Sequence, residues 1–461
     1  MSRGTRARHR RVGGGMTADE RPSGHACDVV VIGGGPAGST AATLLARRGH
    51  RVIALEKDHH PRFHIGESLL PMNLPIFTRL GVMEKVKALG VHKPGADFEA
   101  DNEQGYNTFD FSRALGNSPP HAYQVWRQDF DCMLYRHAGE NGVDAREGHE
   151  VRGVEQRGPR DWLLRVTAAD GSDYELHARY VVDASGRDAF LSGKKKLKRK
   201  NAEHQSAAIF GHFRGATFRP GKDAGNISIY RFDHGWMWMI PLPNGVMSVG
   251  AVCRPDYLKQ RRGRTVEFLL DTLRQNAALW ERIEHAELMG NDVRVTGNYS
   301  YDSARMGGPG WILVGDAFAF LDPVFSSGVY LAMSGAEQAV EVVDEALRSP
   351  GREAALQRRL ERRQRRGMRR FGFFIYRFNG PVMRKLFRSP NNVFQIEQGV
   401  ISMLAGDVFD SFKVWSRIAA FRVVYGVLAL GNWRRWKAER RYRLAQARSQ
   451  FTGGNTPLDK A

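Results

Sequence analysis

The 461-residue chain can fold as one large or two to three ordinary domains, and its 42% hydrophobic content and mean hydropathy of -0.44 are ordinary for a protein that folds in water. No uncharged apolar run reaches the roughly 18 residues of a membrane span; the longest, near Ile418–Trp433, is broken by Arg422, so membrane contact is not expected. Cys27, Cys132 and Cys253 stand far apart with no C-x-x-C spacing, which implies no metal or redox dithiol and suits a reducing cytoplasm.

In chain order, residues 1–25 are basic and Gly-rich ("MSRGTRARHRRVGGG") and lack the apolar stretch of a secretory signal. A disordered leader is expected there, with Met16 an alternative start. Val29–Ile32 then reads as a buried parallel strand. Gly33, Gly35 and Gly38 give G-x-G-x-x-G, Ser39–Arg48 has helical spacing, and Arg51–Leu55 is a second strand ending at Glu56. Gly33 permits the tight turn, Gly35 lets the backbone approach a pyrophosphate, and Gly38 lets helix and strand pack closely. The helix N-terminus offers N–H groups to the anion. Glu56 can accept hydrogen bonds from ribose hydroxyls and would repel a 2′-phosphate. A dinucleotide site follows, without saying which dinucleotide.

Later elements bear on that question. "QVWRQDFDCML" (Gln124–Leu134) reads as a helix start carrying Arg127, and "YVVDASGR" (Tyr180–Arg187) as a strand entering a small-residue turn. Gly193–Asn201 ("GKKKLKRKN") reads as a basic connecting loop. Alternation in "HQSAAIFGHFRGA", "NISIYRFDHGWMWMIPL" and "VMSVGAVC" predicts a mostly antiparallel sheet over about 200–297. Gly310–Ala339 holds a strand, Asp316 at its end, a Pro-containing loop and a second helix start.

Over Cys27–Leu347 these elements resemble the FAD-dependent hydroxylase-like flavoproteins. The resemblance implies an α/β fold: a doubly wound FAD-binding module over 26–347, interleaved with the substrate-facing sheet. It also implies FAD contacts at Gly33, Gly35, Gly38, Glu56, Arg127, Asp316 and Gly328. Only one dinucleotide fingerprint is present, and FAD fills it, so a separate flavin reductase is expected to supply FADH2.

Within the sheet, Trp236-Met-Trp238-Met-Ile240-Pro241 puts both indoles on one strand face and both methionines on the other. Alone, that pattern reads as core. As W-x-W-x-I-P it resembles the signature of the flavin-dependent halogenases. Phe320-x-x-Pro323-x-x-Ser326-x-Gly328 resembles their loop after Gly-Asp. "LGVHKPGADF" (Leu89–Phe98) and "FHIGESLLPMN" (Phe63–Asn73) resemble the branch acting on phenols and pyrroles. The resemblance implies an oxidoreductase of secondary metabolism that uses FADH2, O2 and chloride or bromide to make hypohalous acid and halogenate an electron-rich aromatic. Ser327 and Gly328 would hold the halide at a helix N-terminus, where Ser326 and Ser327 also read as caps. Lys93 would hold hypohalous acid by hydrogen bond or as a haloamine. Trp236 and Trp238 would keep the substrate from the flavin. Tryptophan halogenases carry an acid where this chain has Phe325, which speaks against free tryptophan. His64, His92 and His234 read as local hydrogen bonders. The alternative reading is a single-component FAD-dependent aromatic hydroxylase, revealed by NAD(P)H consumption without a reductase.

Residues 348–461 read as a helical, Arg-rich region, with Val414, Ile418, Phe421, Val424, Tyr425 and Leu428 at helical spacing. The stretch Gln357–Arg370 could attract an acidic acyl carrier protein bearing the substrate. The cluster Trp433, Arg434, Arg435 and Trp436 is the one feature that could instead touch a membrane surface. No nucleic-acid-binding motif accompanies the net charge of +20.

Overall fold

The computed structural model describes residues 27–100, 102, 105–201, 205–388 and 393–448, so the basic leader lies outside it. The uninterrupted apolar run of Cys27–Ile32 suits a strand covered on both faces, and Val29, Val30 and Val31 are fully buried. Around it a parallel sheet runs in the spatial order Asp144–Glu147, Val52–Glu56, Cys27–Ile32, Asp173–Asp183, Trp311–Leu313. Helix Pro36–Ala46 packs against both Arg127–Glu140 and Gly328–Arg348. Strands and helices do not simply alternate. The hairpin of Glu150–Gly158 and Asp161–Thr167 extends Asp173–Asp183 antiparallel, and its Trp162, Leu164 and Val166 join the core of the parallel strands.

The second sheet follows the order Glu287–Leu288, Ser206–Arg214, Val246–Cys253, Gly235–Leu242, Ile227–Phe232, Gly95–Glu99, Tyr106–Asp110, with Arg294–Tyr299 also on Ser206–Arg214. It is antiparallel except where Ile227–Phe232 runs parallel to Gly95–Glu99. The sheet therefore reaches back outside the 200–297 segment expected to contain it. Ala96 and Phe98 share a core with Ile227 and Ile229, so burial recruits a strand that sequence proximity does not. A second difference lies at Lys198–Lys200, expected as loop, which is a strand paired with Tyr301–Ser303. Its exposed basic side chains suit a sheet edge.

Gly235–Leu242 lies inside the second sheet and is buried along its whole length. Trp236, Trp238 and Ile240 face one core; Met237 and Met239 face another with Phe213 and Tyr230. The first of these cores is closed by the C-terminal helices Glu353–Ile375, Pro381–Arg388, Ile396–Leu404 and Phe412–Gly431, through Phe374, Met383, Ile401 and Phe421. In Phe412–Gly431 the buried face is Val414, Ile418, Phe421, Tyr425 and Ala429; Val424, expected on that face, is exposed.

Candidate active site

One cavity of about 640 Å³ lies between the two sheets. Gly33, Gly35, Glu56, Arg127, Asp316 and Gly328 line it together with Trp236 and Trp238; Gly38, Lys93 and Ser327 do not. At Gly33 the backbone is left-handed (φ +103°), and a Cβ there would meet the Ala184 carbonyl oxygen at 2.4 Å. A Cβ on Gly38 would stand 1.9 Å from the Gly33 carbonyl oxygen. Gly38 thus acts by letting the helix seat on the turn, while Gly33 and Gly35 open to the cavity.

The Glu56 carboxylate accepts from Gly34 N–H (2.8 Å) and Arg62 (3.1 Å) on Oε2 and from Asp58 N–H (3.0 Å) on Oε1. Burial works against its charge, but Arg62 and these two N–H groups outweigh it and hold the carboxyl below its usual value. A carboxylate offers about four acceptor positions, so Oε1 can still take a ribose hydroxyl. Asp316 sits after strand Trp311–Leu313. Among the described residues no group hydrogen-bonds its carboxyl, which burial pushes up to about 6 against the opposing fields of Arg187 and Arg127. An unpartnered carboxyl beside a glycine turn, with a free acceptor on Glu56, fits the hydroxyl-rich chain and pyrophosphate of FAD.

Arg127 stands on the cavity wall with most of its donors engaged. Nε and Nη2 form a bidentate pair with Asp131 at 2.9 Å, and Nη1 donates to the Ile65 carbonyl at 2.7 Å. Its geometry is that of a clamp holding the Phe63–Asn73 segment to helix Arg127–Glu140. His64 Nδ1 bonds the Ile65 carbonyl at 2.7 Å, and burial followed by the Arg127 charge pushes its pKa down to about 4. It is neutral at pH 7. His92 packs on His121, and His234 stacks on Tyr257.

On the opposite wall the Trp236 and Trp238 rings lie 5.7 Å apart. Trp236 Nε1 donates to Asp322 (3.3 Å), and Trp238 Nε1 donates to Ser248 (3.2 Å). Asp322 also accepts from Ser206 (2.6 Å) and from Val324 N–H, tying the indole to the turn that leads into helix Gly328–Arg348. Ser326 is left-handed (φ 55°), an uncommon conformation for a residue with a side chain. Ser327 is the N-cap residue and makes no side-chain cap bond, so neither serine caps this helix as expected. Ser327 borders a separate small void beside Phe320 and Asp316.

Lys93 is 1% exposed and lies directly behind the cavity wall. It ends strand Gly90–Lys93, paired with Ala122–Val125, and Ser68 bridges to Gln124 on that partner. This brings Nζ to Ser68 Oγ (2.8 Å) and the Leu69 carbonyl (2.9 Å), with Phe111 beneath it. Burial pushes the ammonium down to about 7. Ser68 and Glu67 themselves line the cavity.

The family model described as "FAD binding domain" matches residues 26–371. The flavin-dependent halogenase armH3 of Armillaria mellea is 34% identical over 352 residues, 70% of this chain and 68% of that one. Tryptophan 2-halogenase of Chondromyces crocatus is 33% identical over 414 residues, 88% and 76% of the two chains. The 1H-pyrrole-2-carbonyl-[peptidyl-carrier protein] chlorinase of Pseudomonas fluorescens is 30% identical over 418 residues, 85% and 92%. The solved structure of the myxobacterial chondrochloren halogenase CndH superposes with a TM-score of 0.72 at 31% identity, covering 92% of this chain and 98% of that one.

The chain belongs to the flavin-dependent halogenases. It is an FAD-binding oxidoreductase, and the hydroxylase alternative is not favoured. Within this halogenase, Phe325 is packed by Phe98, Phe378 and Phe387. Glu67 is one of the carboxylates that line the cavity. Its Oε1 pairs with His212 Nε2 at 2.7 Å, and its buried Oε2 has no hydrogen-bond partner among the described residues. In "FHIGESLLPMN" the signal for Glu67 and Ser68 is an acid and a hydroxyl side by side in a mostly apolar run, whereas no local pattern marks Asp322.

Proposed function

We propose that this halogenase acts on an electron-rich phenol or pyrrole carried by an acidic acyl carrier protein, with chloride or bromide as co-substrate. One observation carries the reading: a single cavity joins the glycine turn, Asp316 and the start of helix Gly328–Arg348 to a wall of Trp236, Trp238 and Ser68, behind which Lys93 is buried. Bound FAD, reduced by a separate reductase, would supply the oxidising equivalents from O2. The chain's part is to orient and exclude. Gly33, Gly35, Glu56 and Asp316 hold the cofactor at one end. N–H groups at the start of helix Gly328–Arg348, beside Ser327, offer a halide site without a competing base. Lys93, near neutrality, can donate a hydrogen bond to hypohalous acid or attack it as an amine. Phe325 supports a phenol or pyrrole, whose own heteroatom activates the ring. The three cysteines are free and buried, as suits a cytoplasmic enzyme.

The test is incubation with a flavin reductase, chloride or bromide, and free and carrier-bound phenols, pyrroles and tryptophan, read by isotope pattern. Halide-dependent product is expected from the carrier-bound phenol or pyrrole. Oxygenated product without halide refutes the chemistry, and efficient turnover of free tryptophan refutes the substrate class.

The arginine-rich helix Glu353–Ile375 supports the carrier with a narrower set of residues than its sequence suggests. Arg363 pairs with Asp410, and Arg365 binds Glu361, Asp302 and the Ser303 carbonyl, so both serve the fold. Arg358, Arg359, Arg362, Arg366 and Arg369 are exposed. Changing Arg359, Arg362 and Arg366 to Glu should cut turnover of carrier-bound substrate at least about tenfold and spare a free mimic. Equal loss on both, or none, removes the carrier.

A further inference from the structure

The large hydrophobic residues left exposed are not scattered. All eight among the described residues fall between Phe394 and Trp433. Five of them, Phe412, Trp415, Val423, Val427 and Leu430, recur along helix Phe412–Gly431 within an arc of about 120°, at about 100° per residue. No charged residue interrupts that arc; the rest of it is Ser416, Ala419 and Gly426. The helix is long and apolar enough to cross a membrane. Its opposite face rules out crossing, because Val414, Ile418, Phe421 and Tyr425 are built into the core that holds Trp236.

The charge follows immediately. Trp433–Arg448 carries Arg434, Arg435, Lys437, Arg440, Arg441, Arg443 and Arg448 against a single acid, Glu439. Arg434, Arg435 and Lys437 are exposed. At the junction Trp433 stacks on Trp436 at 5.2 Å, and Trp433 is half exposed. A charge-free apolar stripe, an aromatic pair at its end and a cationic helix beyond it match the layers of an anionic lipid surface: acyl chains, interface and headgroups. A second copy of the chain docked through the same face would instead bring its own cationic helix against this one.

We infer that helix Phe412–Gly431 lies along an anionic phospholipid surface, its exposed stripe in the interface and the cations of Trp433–Arg448 on the headgroups. The contact inferred is peripheral, in place of a membrane span. The core-packed face of the helix and the cavity remain as they are.

The test is co-sedimentation of the full chain with vesicles of phosphatidylcholine alone or with added phosphatidylglycerol, at low and high salt. Wild type should bind the anionic vesicles, more weakly at high salt. The pair Val427→Asp and Leu430→Asp should lower the partition coefficient by about tenfold or more. The pair Arg434→Glu and Arg435→Glu, on exposed positions, should remove the phosphatidylglycerol dependence. FAD content and turnover of a free substrate, unchanged in both, show that the variants fold. Wild type that stays in the supernatant overturns the inference, as do paired variants that still bind. So does a wild-type dimer that the Asp pair converts to a monomer without any vesicle binding.

Discussion

Lys93→Met should abolish halogenated product, by about 10² or more, while FADH2 oxidation continues, and should make the protein more stable. The two effects share one cause. Lys93 is buried with two neutral acceptors, Ser68 Oγ and the Leu69 carbonyl, and no carboxylate among its hydrogen-bond partners. Its ammonium falls from 10.5 to about 7 on folding through desolvation. The unfolded chain therefore binds more protons than the folded one between about pH 7 and 10.5. Lysine's penalty is fully present below pH 7 and is relieved as pH rises through that window. Methionine keeps the volume and removes the charge, but leaves two acceptors without a donor at roughly 1 kcal/mol each. A net gain on the order of 1–3 kcal/mol at pH 6, shrinking toward pH 10, should appear in urea unfolding. Loss of stability at pH 6, or retained product, defeats this account of Lys93. In wild type, the pH profile separates the two chemistries: turnover that rises through about pH 7 marks the amine, and turnover that falls marks the ammonium donor.

What the sequence made legible is what is local. The contact of Gly38 with the Gly33 carbonyl joins residues five apart and follows from spacing, whereas the approach of Gly33 to Ala184 does not. The alternation of Trp236 and Trp238 with Met237 and Met239 likewise gave two faces, and each face has its own core. Lys93 was legible only by resemblance. Its hydrogen bonds reach Ser68, 25 residues away, through a strand pair and a bridge that no local pattern encodes. Arg127 differs. Its partner Asp131 lies four residues on, at ordinary helical spacing, so that ion pair is local, while its place on the cavity wall depends on the fold. The second sheet's reach back to Gly95–Glu99 was hidden because parallel pairing across a long connection leaves no turn signal.

Replacing Trp236 or Trp238 by Ala should cost about 3–5 kcal/mol each, because both indoles are almost wholly buried and both N–H groups are bonded. With the rings 5.7 Å apart the two losses should not add. Stability alone does not tell a wall from a core, so the conservative changes matter. Trp236→Phe keeps most of the burial and loses the bond to Asp322, at about 1 kcal/mol, and should leave turnover close to wild type. The Ala variants, assayed where they remain folded, remove bulk from the cavity wall that Trp236 and Trp238 share with Ser68. If the indoles separate substrate from oxidant, these variants should release more hypohalous acid to a chemical trap and form oxygenated aromatic product. The neighbouring Gly250 supplies the reciprocal change. A Cβ there would meet the Trp238 ring at 2.6 Å and Phe210 Cβ at 2.3 Å, so Gly250→Ala forces the indole from its seat without shortening it. A common shift toward oxygenated product in Trp238→Ala and Gly250→Ala assigns the wall to the position of the ring. An unchanged product ratio in every variant leaves Gly235–Leu242 as a core strand only.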